Sequence, residues 1–255
     1  MIKRFGINTA GRDLIVGDIH GHFDRLERAM AVIEFNPAVD RLFSVGDLVD
    51  RGPDSELVLD WLAKPWFHAV CGNHEEMTAD AYAGLIHEDM HVVNGGRWFY
   101  QLPPEDRKLF AQILRELPVL IEIETPKGLV GLVHAGCPTD DWAHLRRQIL
   151  RDVNSAGHVP VFGTNEWRNL ALWDRRRADG VINGEVRGVR AVVSGHTPMT
   201  RPVVADNHHF IDTAGWLSLP TSAFTFLDAA TLQSTVVPNN QPGQAPEAER
   251  LSDAA

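Results

Sequence analysis

The chain contains five short apolar runs, and polar side chains follow each of them within a few residues. The runs cover residues 14–16, 42–45, 67–71, 129–133 and 189–193. Each is followed within two residues by a glycine or a histidine. Short apolar runs that are bounded in this way are typical of strands. The pattern therefore predicts five strands that deliver polar side chains from their carboxyl ends.

The segment 23–33 has a helical rather than a strand periodicity. Its apolar side chains recur close to every helical turn, at Phe23, Leu26, Met30 and Ile33. Strands that alternate with helices form parallel sheets with right-handed crossover connections. The first part of the chain therefore predicts an α/β fold.

The rest of the chain departs from this alternation. Residues 87–117 are predicted to be helix and loop, an insert in a position to form a lid. Short apolar segments near the end resemble an antiparallel meander and predict a second sheet packed on the first: 210–212, 223–227 and 233–237. Residues 238–255 are rich in Pro, Gln, Asn, Glu and Ala, which predicts a disordered tail after a single domain of residues 1–237.

Composition and charge make some classes of binding partner unexpected. With 44% hydrophobic and 23% charged residues, the 255-residue chain has the composition of a globular domain. A net charge of −10 opposes binding to nucleic acid, so no nucleic-acid partner is expected. No signal-peptide pattern or membrane-length apolar run is present, and the two cysteines define no disulfide framework. We therefore expect a cytoplasmic protein without a membrane partner.

The polar residues that follow the five runs are types that bind metals. They are Asp18, His20, Asp47, Asn73, His74, His134 and His196. Ligands of open α/β sheets gather at the carboxyl ends of the strands, so we expect all five runs to bring these residues to one edge of one sheet. Carboxylate, amide oxygen and imidazole together suit Mn²⁺, Fe or Zn²⁺.

Three of these segments resemble the signature motifs of the calcineurin-like metallophosphoesterases: residues 17–21 (Gly-Asp-Ile-His-Gly), 46–52 (Gly-Asp-Leu-Val-Asp-Arg-Gly) and 72–75 (Gly-Asn-His-Glu). The Asp-Arg-Gly and Asn-His-Glu forms resemble the PPP-type serine/threonine protein phosphatases of the bacterial and phage-lambda group. Residues 94–98, 134–136, 195–198 and 211–214 also resemble segments of that group. The resemblance runs from about Leu14 to Leu227 and implies a four-layer α/β/β/α sandwich with mixed sheets.

The resemblance also implies a ligand set for two divalent metal ions, of which Mn²⁺ is the expected ion and Fe or Zn²⁺ the alternatives. The first ion would be held by Asp18, His20 and Asp47. The second would be held by Asp47, Asn73, His134 and His196, so that Asp47 is shared. A hydroxide that bridges the two ions would attack phosphorus in line.

Four further residues take catalytic roles under the same resemblance. His74 would protonate the leaving alkoxide, Asp50 would orient His74, and Arg51 would bind the phosphate oxygens. Residues 173–175 (Trp-Asp-Arg) resemble a Trp-Asn-Arg segment of the phage group, which makes Arg175 the second phosphate-binding residue. Because Arg176 and Arg177 adjoin it, the choice among the three arginines stays open at this point.

The leading function is therefore hydrolysis of a phosphoprotein or phosphopeptide. One alternative is a symmetrical dinucleoside tetraphosphate hydrolase, which usually has Ala-Arg-Gly and Asn-His-Asp at the corresponding motifs. Another is a binding protein that kept the phosphoesterase fold, which would be expected to have lost metal ligands. Glu75 is interpreted as an acid in the first turn of a helix. The tryptophans are interpreted as core or lid residues. The histidines outside the motifs are interpreted as surface residues or as residues that contact the ligands without binding metal: His22, His68, His87, His91, His144, His158, His208 and His209.

Overall fold

The computed structural model describes residues 2–155 and 166–239, and these residues form eleven strands and eight α-helices. The strands are β1 (Ile2–Phe5), β2 (Asp13–Val16), β3 (Arg41–Ser44), β4 (Phe67–Ala69), β5 (Leu120–Thr125), β6 (Gly128–Val133), β7 (Ala191–Ser194), β8 (Val203–Ala205), β9 (His208–Phe210), β10 (Ala223–Asp228) and β11 (Ser234–Pro238). The helices are α1 (Phe23–Val32), α2 (Val58–Leu62), α3 (Asn73–Tyr82), α4 (Glu88–Val93), α5 (Arg97–Gln101), α6 (Pro104–Arg115), α7 (Trp142–Ser155) and α8 (Glu166–Trp173).

The strands form two mixed sheets. The first sheet has the order β11-β10-β2-β3-β4, in which β2, β3 and β4 are parallel and β10 runs antiparallel to β2. The second sheet has the order β1-β5-β6-β7-β9-β8, with β6, β7 and β9 parallel. The helical periodicity predicted over 23–33 is confirmed by α1, and each of the five apolar runs contains a strand.

Three separate apolar clusters show that these elements make four layers. Side chains such as Ile15 and Phe43 of the first sheet meet Ile123, Leu132 and Val193 of the second, which fills the space between the sheets. A second cluster joins the outer face of the first sheet to α1, α2 and the insert helices. A third joins the outer face of the second sheet to α7 and α8. The predicted α/β/β/α sandwich is confirmed.

The expectation that all five runs share one sheet is wrong. Strands β2, β3 and β4 lie in the first sheet, but β6 and β7 lie in the second. The reason is that β2 and β3 have apolar residues on both faces, one face for the helices and one for a second sheet. Because the strand ends of both sheets meet at one edge of the sandwich, the polar residues still converge.

The predicted meander is also wrong in part. Strands β10 and β11 do form an antiparallel pair, but β10 extends the first sheet by pairing with β2. Strand β9, which covers the predicted segment at 210–212 only at Phe210, pairs with β7 in the second sheet. The second sheet is instead completed by β1 and β5, which the apolar-run pattern missed. In β5 the acidic Glu122 and Glu124 interrupt the apolar run.

The insert at 87–117 consists of helix and loop, as predicted. It contains α4, α5 and α6, and α6 packs against α3. Strand β11 ends at Pro238, and residues 240–255 of the predicted tail lie outside the described residues, as does His158. Among the residues that are described, no helix is both long and apolar enough to cross a bilayer.

The core between the two sheets should be sensitive to loss of volume at Phe43, which is fully buried and packs edge-on against Phe5. We expect Phe43→Ala to lower the free energy of unfolding by about 3–5 kcal/mol, because truncation of a buried phenyl ring leaves a cavity. Urea denaturation followed by circular dichroism measures the change. The control is Val236→Ala at a 44% exposed position of β11, which should change it by less than about 0.5 kcal/mol. Equal effects for the two variants would contradict this account of the core.

Candidate active site

The predicted site residues meet where the strand ends of the two sheets come together. Asp18 and His20 follow β2, Asp47 follows β3, and Asn73 begins α3. The second sheet supplies His134 after β6 and His196 after β7. All six side chains are buried. Contacts across the sheets connect them: His134 lies beside Asp47 and Asn73, and the backbone N–H of His196 donates to Asp18.

The backbone at this edge is held in an uncommon conformation. Five non-glycine residues of the site have positive φ values, between 44° and 70°: His20, Asp47, Asp50, Arg51 and His196. This left-handed region costs about 1–2 kcal/mol for a residue with a Cβ atom. Strain of this kind persists only where the surrounding structure enforces it, and it is typical of functional sites.

One group of side chains, here called the His134 cluster, consists of Asp47, Asn73, His134 and His196. His134 Nδ1 lies 2.7 Å from the carbonyl oxygen of Val45 and donates to it, which leaves a lone pair on Nε2. That Nε2 lies 2.9 Å from Asn73 Oδ1, 3.2 Å from His196 Nδ1 and 3.3 Å from Asp47 Oδ1. Two side-chain oxygens and a second ring nitrogen therefore surround the lone pair of His134 Nε2 inside the protein.

The electrostatics of the His134 cluster favour a cation. Burial alone would lower the pKa of His134, but the Asp47 carboxylate outweighs burial and raises it. Burial and the neighbouring His134 lower the pKa of His196 to about 2, so this second ring stays neutral. Facing lone pairs in a low dielectric repel one another unless a proton or a metal lies among them. The donor atoms of the cluster fit a divalent ion.

The second group, here called the His20 cluster, consists of Asp18, His20, Asp47 and His74. His20 Nδ1 donates to the carbonyl oxygen of Val49, and burial lowers the pKa of this ring well below its usual range. Ligand atoms of His20, Asp47 and His74 lie within 4.8 Å of one another. Because Asp47 belongs to both clusters, the arrangement fits two ions that share one carboxylate.

Negative charge accumulates beside the His20 cluster. Burial, Asp212 and Asp47 together raise the pKa of Asp18 well above its usual range. Burial raises the pKa of Asp212 to about 6, and one of its oxygens has no hydrogen-bond partner among the described residues. Burial opposes ionisation of Asp47, but His134 and the other neighbouring histidines outweigh it and hold the pKa of Asp47 well below its usual range. Three carboxyl groups buried together give a further reason why the site fits cations. Asp212 has no role among the predicted site residues, although it lies in a segment that resembles the phage-type group.

Arg51 lies in the loop that follows β3, and its side chain extends into the His20 cluster. Its guanidinium donates to His20 Nε2 and to His74 Nε2, each at 2.9 Å, and stacks on the Trp216 ring at 4.5 Å. A planar guanidinium that is fixed in this way is suited to binding two oxygens of a phosphate.

His74 is oriented by a buried carboxylate. Its Nδ1 donates to Asp50 Oδ2 at 2.8 Å. Burial opposes ionisation of Asp50, but hydrogen bonds from His74 and His91 outweigh it and lower the pKa of Asp50 to about 2. The other oxygen, Oδ1, lies 2.7 Å from Trp98 Nε1 and 3.2 Å from His91 Nε2. The interpretations of His91 and Trp98 did not include a contact with Asp50.

The Glu75 side chain accepts hydrogen bonds from two segments of the chain, the start of α3 and the loop that carries Asp47. Its carboxylate accepts the backbone N–H of Gly72, which fits the expected place in the first turn of α3. It also accepts the N–H groups of Asp47, Leu48 and Val49, at 2.9, 2.7 and 3.2 Å. A completely buried carboxylate therefore fixes the loop that carries Asp47, a role that no local pattern indicates.

The three neighbouring arginines have different surroundings. Arg177 is buried and donates to three backbone carbonyls, and Arg176 forms an ion pair with Asp174 at 2.8 Å. Arg175 is exposed, and among the residues that the structure describes no hydrogen bond or ion pair engages its guanidinium, while its backbone carbonyl accepts the N–H of Asp179. Its positive charge acts on the His196 ring. Of the three, Arg175 is the one that is both uncommitted and close to the site.

Comparison with known proteins supports the same conclusion. The profile of the calcineurin-like phosphoesterase family matches residues 12–199. The serine/threonine-protein phosphatase 1 of Salmonella typhimurium is 35% identical over 205 residues, which covers 78% of this chain and 84% of that protein. The serine/threonine-protein phosphatase 2 of Escherichia coli is 31% identical, with 78% and 85% covered.

Two further similarities are more limited. A symmetrical bis(5'-nucleosyl)-tetraphosphatase of Pseudomonas putida is 36% identical, but the match covers only 48% of this chain and 41% of that protein. A solved serine/threonine phosphatase of Saccharomyces cerevisiae superposes with a TM-score of 0.59 at 15% identity, over 96% of this chain and 85% of that one. The structural similarity supports the fold.

The carboxylate of Glu75 provides a test of how the site is held. We expect Glu75→Gln to lower the free energy of unfolding by about 1–3 kcal/mol and to weaken metal binding, because the amide has one acceptor atom for four buried donors. Urea denaturation and titration with Mn²⁺ measure the two effects. Glu116→Gln, an exposed substitution of the same kind at the end of α6, is the matched control and should change neither. Unchanged metal affinity in Glu75→Gln would show that this carboxylate does not hold the Asp47 loop.

Proposed function

Because this chain belongs to the calcineurin-like phosphoesterase family and is therefore a phosphoester hydrolase, we propose that it is a protein-serine/threonine phosphatase. The observation that carries the proposal is the buried hydrogen bond between Asp50 and His74. An alkoxide released from serine or threonine is strongly basic and leaves only if it receives a proton. A phosphate group released from a dinucleotide has much less need of one.

In the proposed mechanism His74 is the general acid. Asp50 keeps the proton of His74 on Nδ1 in the resting state and stabilises the ring when Nε2 also carries a proton. His74 Nε2 faces the site, where it lies 3.9 Å from Asp47 Oδ2. This placement suits transfer of a proton from Nε2 to the oxygen of a leaving group, once Nε2 is protonated and the Arg51 guanidinium has turned from Nε2 to the phosphate. The same logic gives Asp50 an orienting role, because it holds the ring without touching the substrate.

Two divalent ions would be held by Asp18, His20 and Asp47 and by Asp47, Asn73, His134 and His196, and we propose Mn²⁺ as the ion. When bound, such ions activate water for attack on phosphorus and neutralise charge on the phosphate. The protein's own contribution is to aim the imidazoles: His20 and His134 both donate Nδ1–H to backbone carbonyls.

Arg51 and Arg175 are the proposed phosphate-binding residues. Arg51 is already oriented by the Trp216 ring and has its donors directed into the His20 cluster. The charge of Arg175 acts on the His196 ring, and its guanidinium is not engaged by another described residue, so it is the arginine that we propose as the second contact to phosphate. Arg177 is excluded by its three bonds to backbone carbonyls.

The substrate is tested with metal-free and Mn²⁺-reconstituted enzyme on a phosphoserine/phosphothreonine peptide and, in parallel, on diadenosine tetraphosphate. We expect release of phosphate from the peptide only with Mn²⁺, at a higher kcat/KM than cleavage of the nucleotide. Mn²⁺ should also raise the melting temperature, since a ligand that binds the native state stabilises it.

Asp18→Asn is the blank for this experiment, because it removes a proposed metal ligand. Faster cleavage of the nucleotide would favour the tetraphosphatase alternative, for which the 36% identity with the Pseudomonas putida enzyme is the supporting observation. Binding of Mn²⁺ without turnover of either substrate would contradict the proposed function.

The second phosphate-binding residue is tested by a pair of adjacent substitutions. We expect Arg175→Ala to raise KM for the phosphopeptide about tenfold or more, because a charge-assisted contact with phosphate contributes about 1.5–3 kcal/mol. Arg176→Ala removes a second exposed arginine, which forms an ion pair with Asp174, and it should leave KM unchanged. Steady-state kinetics with the peptide decide the matter. A larger effect at Arg176 than at Arg175 would reverse the assignment.

A further inference from the structure

The carboxylate that orients His74 is itself held by the insert at 87–117. Asp50 is completely buried, and three side-chain nitrogens converge on its two oxygens. His74 occupies Oδ2, whereas Trp98 and His91 both occupy Oδ1. Trp98 belongs to α5 and His91 to α4, so both contacts with Oδ1 come from a segment outside the strands and turns that carry the metal ligands.

The proton positions in this network follow from its geometry. The Thr78 hydroxyl donates to the backbone carbonyl of His74, so toward His91 it can only accept. His91 Nε2 lies 3.2 Å from Thr78 Oγ1 and 3.2 Å from the Asp50 carboxylate, both of which are acceptors. Nε2 of His91 must therefore carry the proton. The Tyr100 hydroxyl, 3.3 Å from His91 Nδ1, is then the donor that fixes the other end of the ring.

Two glycines allow the insert to come this close. Gly95 has a φ of 102°, and its carbonyl oxygen accepts the backbone N–H of Arg51. A Cβ atom at Gly95 would overlap the backbone of Arg51, and one at Gly96 would overlap the His91 ring. The loop before α5 is thus packed directly on the backbone of Arg51, the residue that follows Asp50.

A carboxylate can rotate about its Cβ–Cγ bond, and it then presents different lone pairs to a partner. The two donors on Oδ1 prevent this rotation and leave Oδ2 directed at His74. The backbone of Asp50 is held as well, since its N–H donates to the Ser55 hydroxyl at 2.9 Å. The side chain therefore has one orientation available.

We propose that Trp98 and His91 are positioning residues for the general acid, which act by holding Asp50 in the orientation that aims His74. This inference rests on the proposed function, because it requires His74 to protonate a leaving group. It assigns the insert a part in catalysis as a fixed support of the Asp50–His74 pair.

Loss of a positioning residue should depend on the leaving group. Trp98→Phe keeps the aromatic ring but removes the Nε1–H donor. We expect it to lower kcat for the phosphoserine peptide about tenfold or more, a part of the about 10²–10⁴-fold that general acid catalysis supplies. For 2,4-dinitrophenyl phosphate, whose leaving group needs no proton, kcat should stay within about twofold. The measurement is kcat with Mn²⁺-reconstituted enzyme on both substrates.

The chain offers a matched control. Trp142 Nε1 donates to a buried carboxylate oxygen of Glu122 at 2.9 Å, and Trp142 packs on the second sheet away from Asp50. Trp142→Phe therefore removes the same kind of bond, and it should lower kcat for the two substrates by the same factor or by none. Equal loss on both substrates in Trp98→Phe would overturn the proposal, because it would show a purely structural role.

Substitutions at His91 give a second, independent line. His91→Gln retains a donor that can reach Asp50, whereas His91→Leu has none. We expect the glutamine variant to keep more of the activity on the peptide than the leucine variant, with similar melting temperatures. This pair tests the proposal even if Trp98→Phe does not fold. Identical kinetics in the two variants would overturn it.

His74→Asn separates this inference from the proposed function. If His74→Asn shows the leaving-group-dependent loss and Trp98→Phe does not, only the positioning role is overturned. If His74→Asn shows no such dependence, or the wild-type enzyme hydrolyses neither phosphate ester, the general-acid mechanism fails and the positioning role fails with it.

Discussion

Repulsion among buried acceptor groups is the constraint on which this structure depends. Asp18, Asp47 and Asp212 lie in one buried region with several neutral imidazoles. Left to itself, such a region would expand or take up water. The surrounding fold opposes this expansion with backbone N–H and C=O groups that are held in fixed positions. Backbone carbonyl groups accept hydrogen bonds from His20 and His134 and so orient their rings. The Glu75 carboxylate in turn accepts hydrogen bonds from several backbone N–H groups. The left-handed backbone at five site residues is the conformational cost of that arrangement.

The family was predictable because residues 17–21, 46–52 and 72–75 resemble its signature motifs. The fold class was predictable because each residue type that binds metals directly follows an apolar run. Local order of this kind survives folding, since a strand and the turn after it are neighbours in space as well as in sequence. The assignment of β6 and β7 to a different sheet was not predictable in the same way. Sheet membership depends on which faces of β2 and β3 meet a helix and which meet another sheet, and both faces of these strands are apolar.

The predicted site residues do come together, but the residues that hold them in place were missed or underestimated. Glu75 was interpreted by its position in a helix, although three of its four backbone donors are nearly thirty residues away in the chain. His91 and Trp98 reach Asp50 across 41 and 48 residues. Contacts between residues so far apart in the chain leave no periodic pattern in the sequence. A motif that resembles a family segment, here residues 94–98, is the one feature of the sequence that pointed toward Trp98.

The division of the ligands between the two sheets has a consequence for the lifetime of the folded chain. Asp47 and Asn73 follow β3 and β4 of the first sheet, whereas His134 and His196 follow β6 and β7 of the second. An ion held by these four residues would join the two halves of the sandwich at their shared edge. Separation of the sheets would then break coordination bonds, so the rate of ion release would limit the rate of unfolding. Resistance to proteases and to heat would in that case be a kinetic property that depends on the supply of the metal.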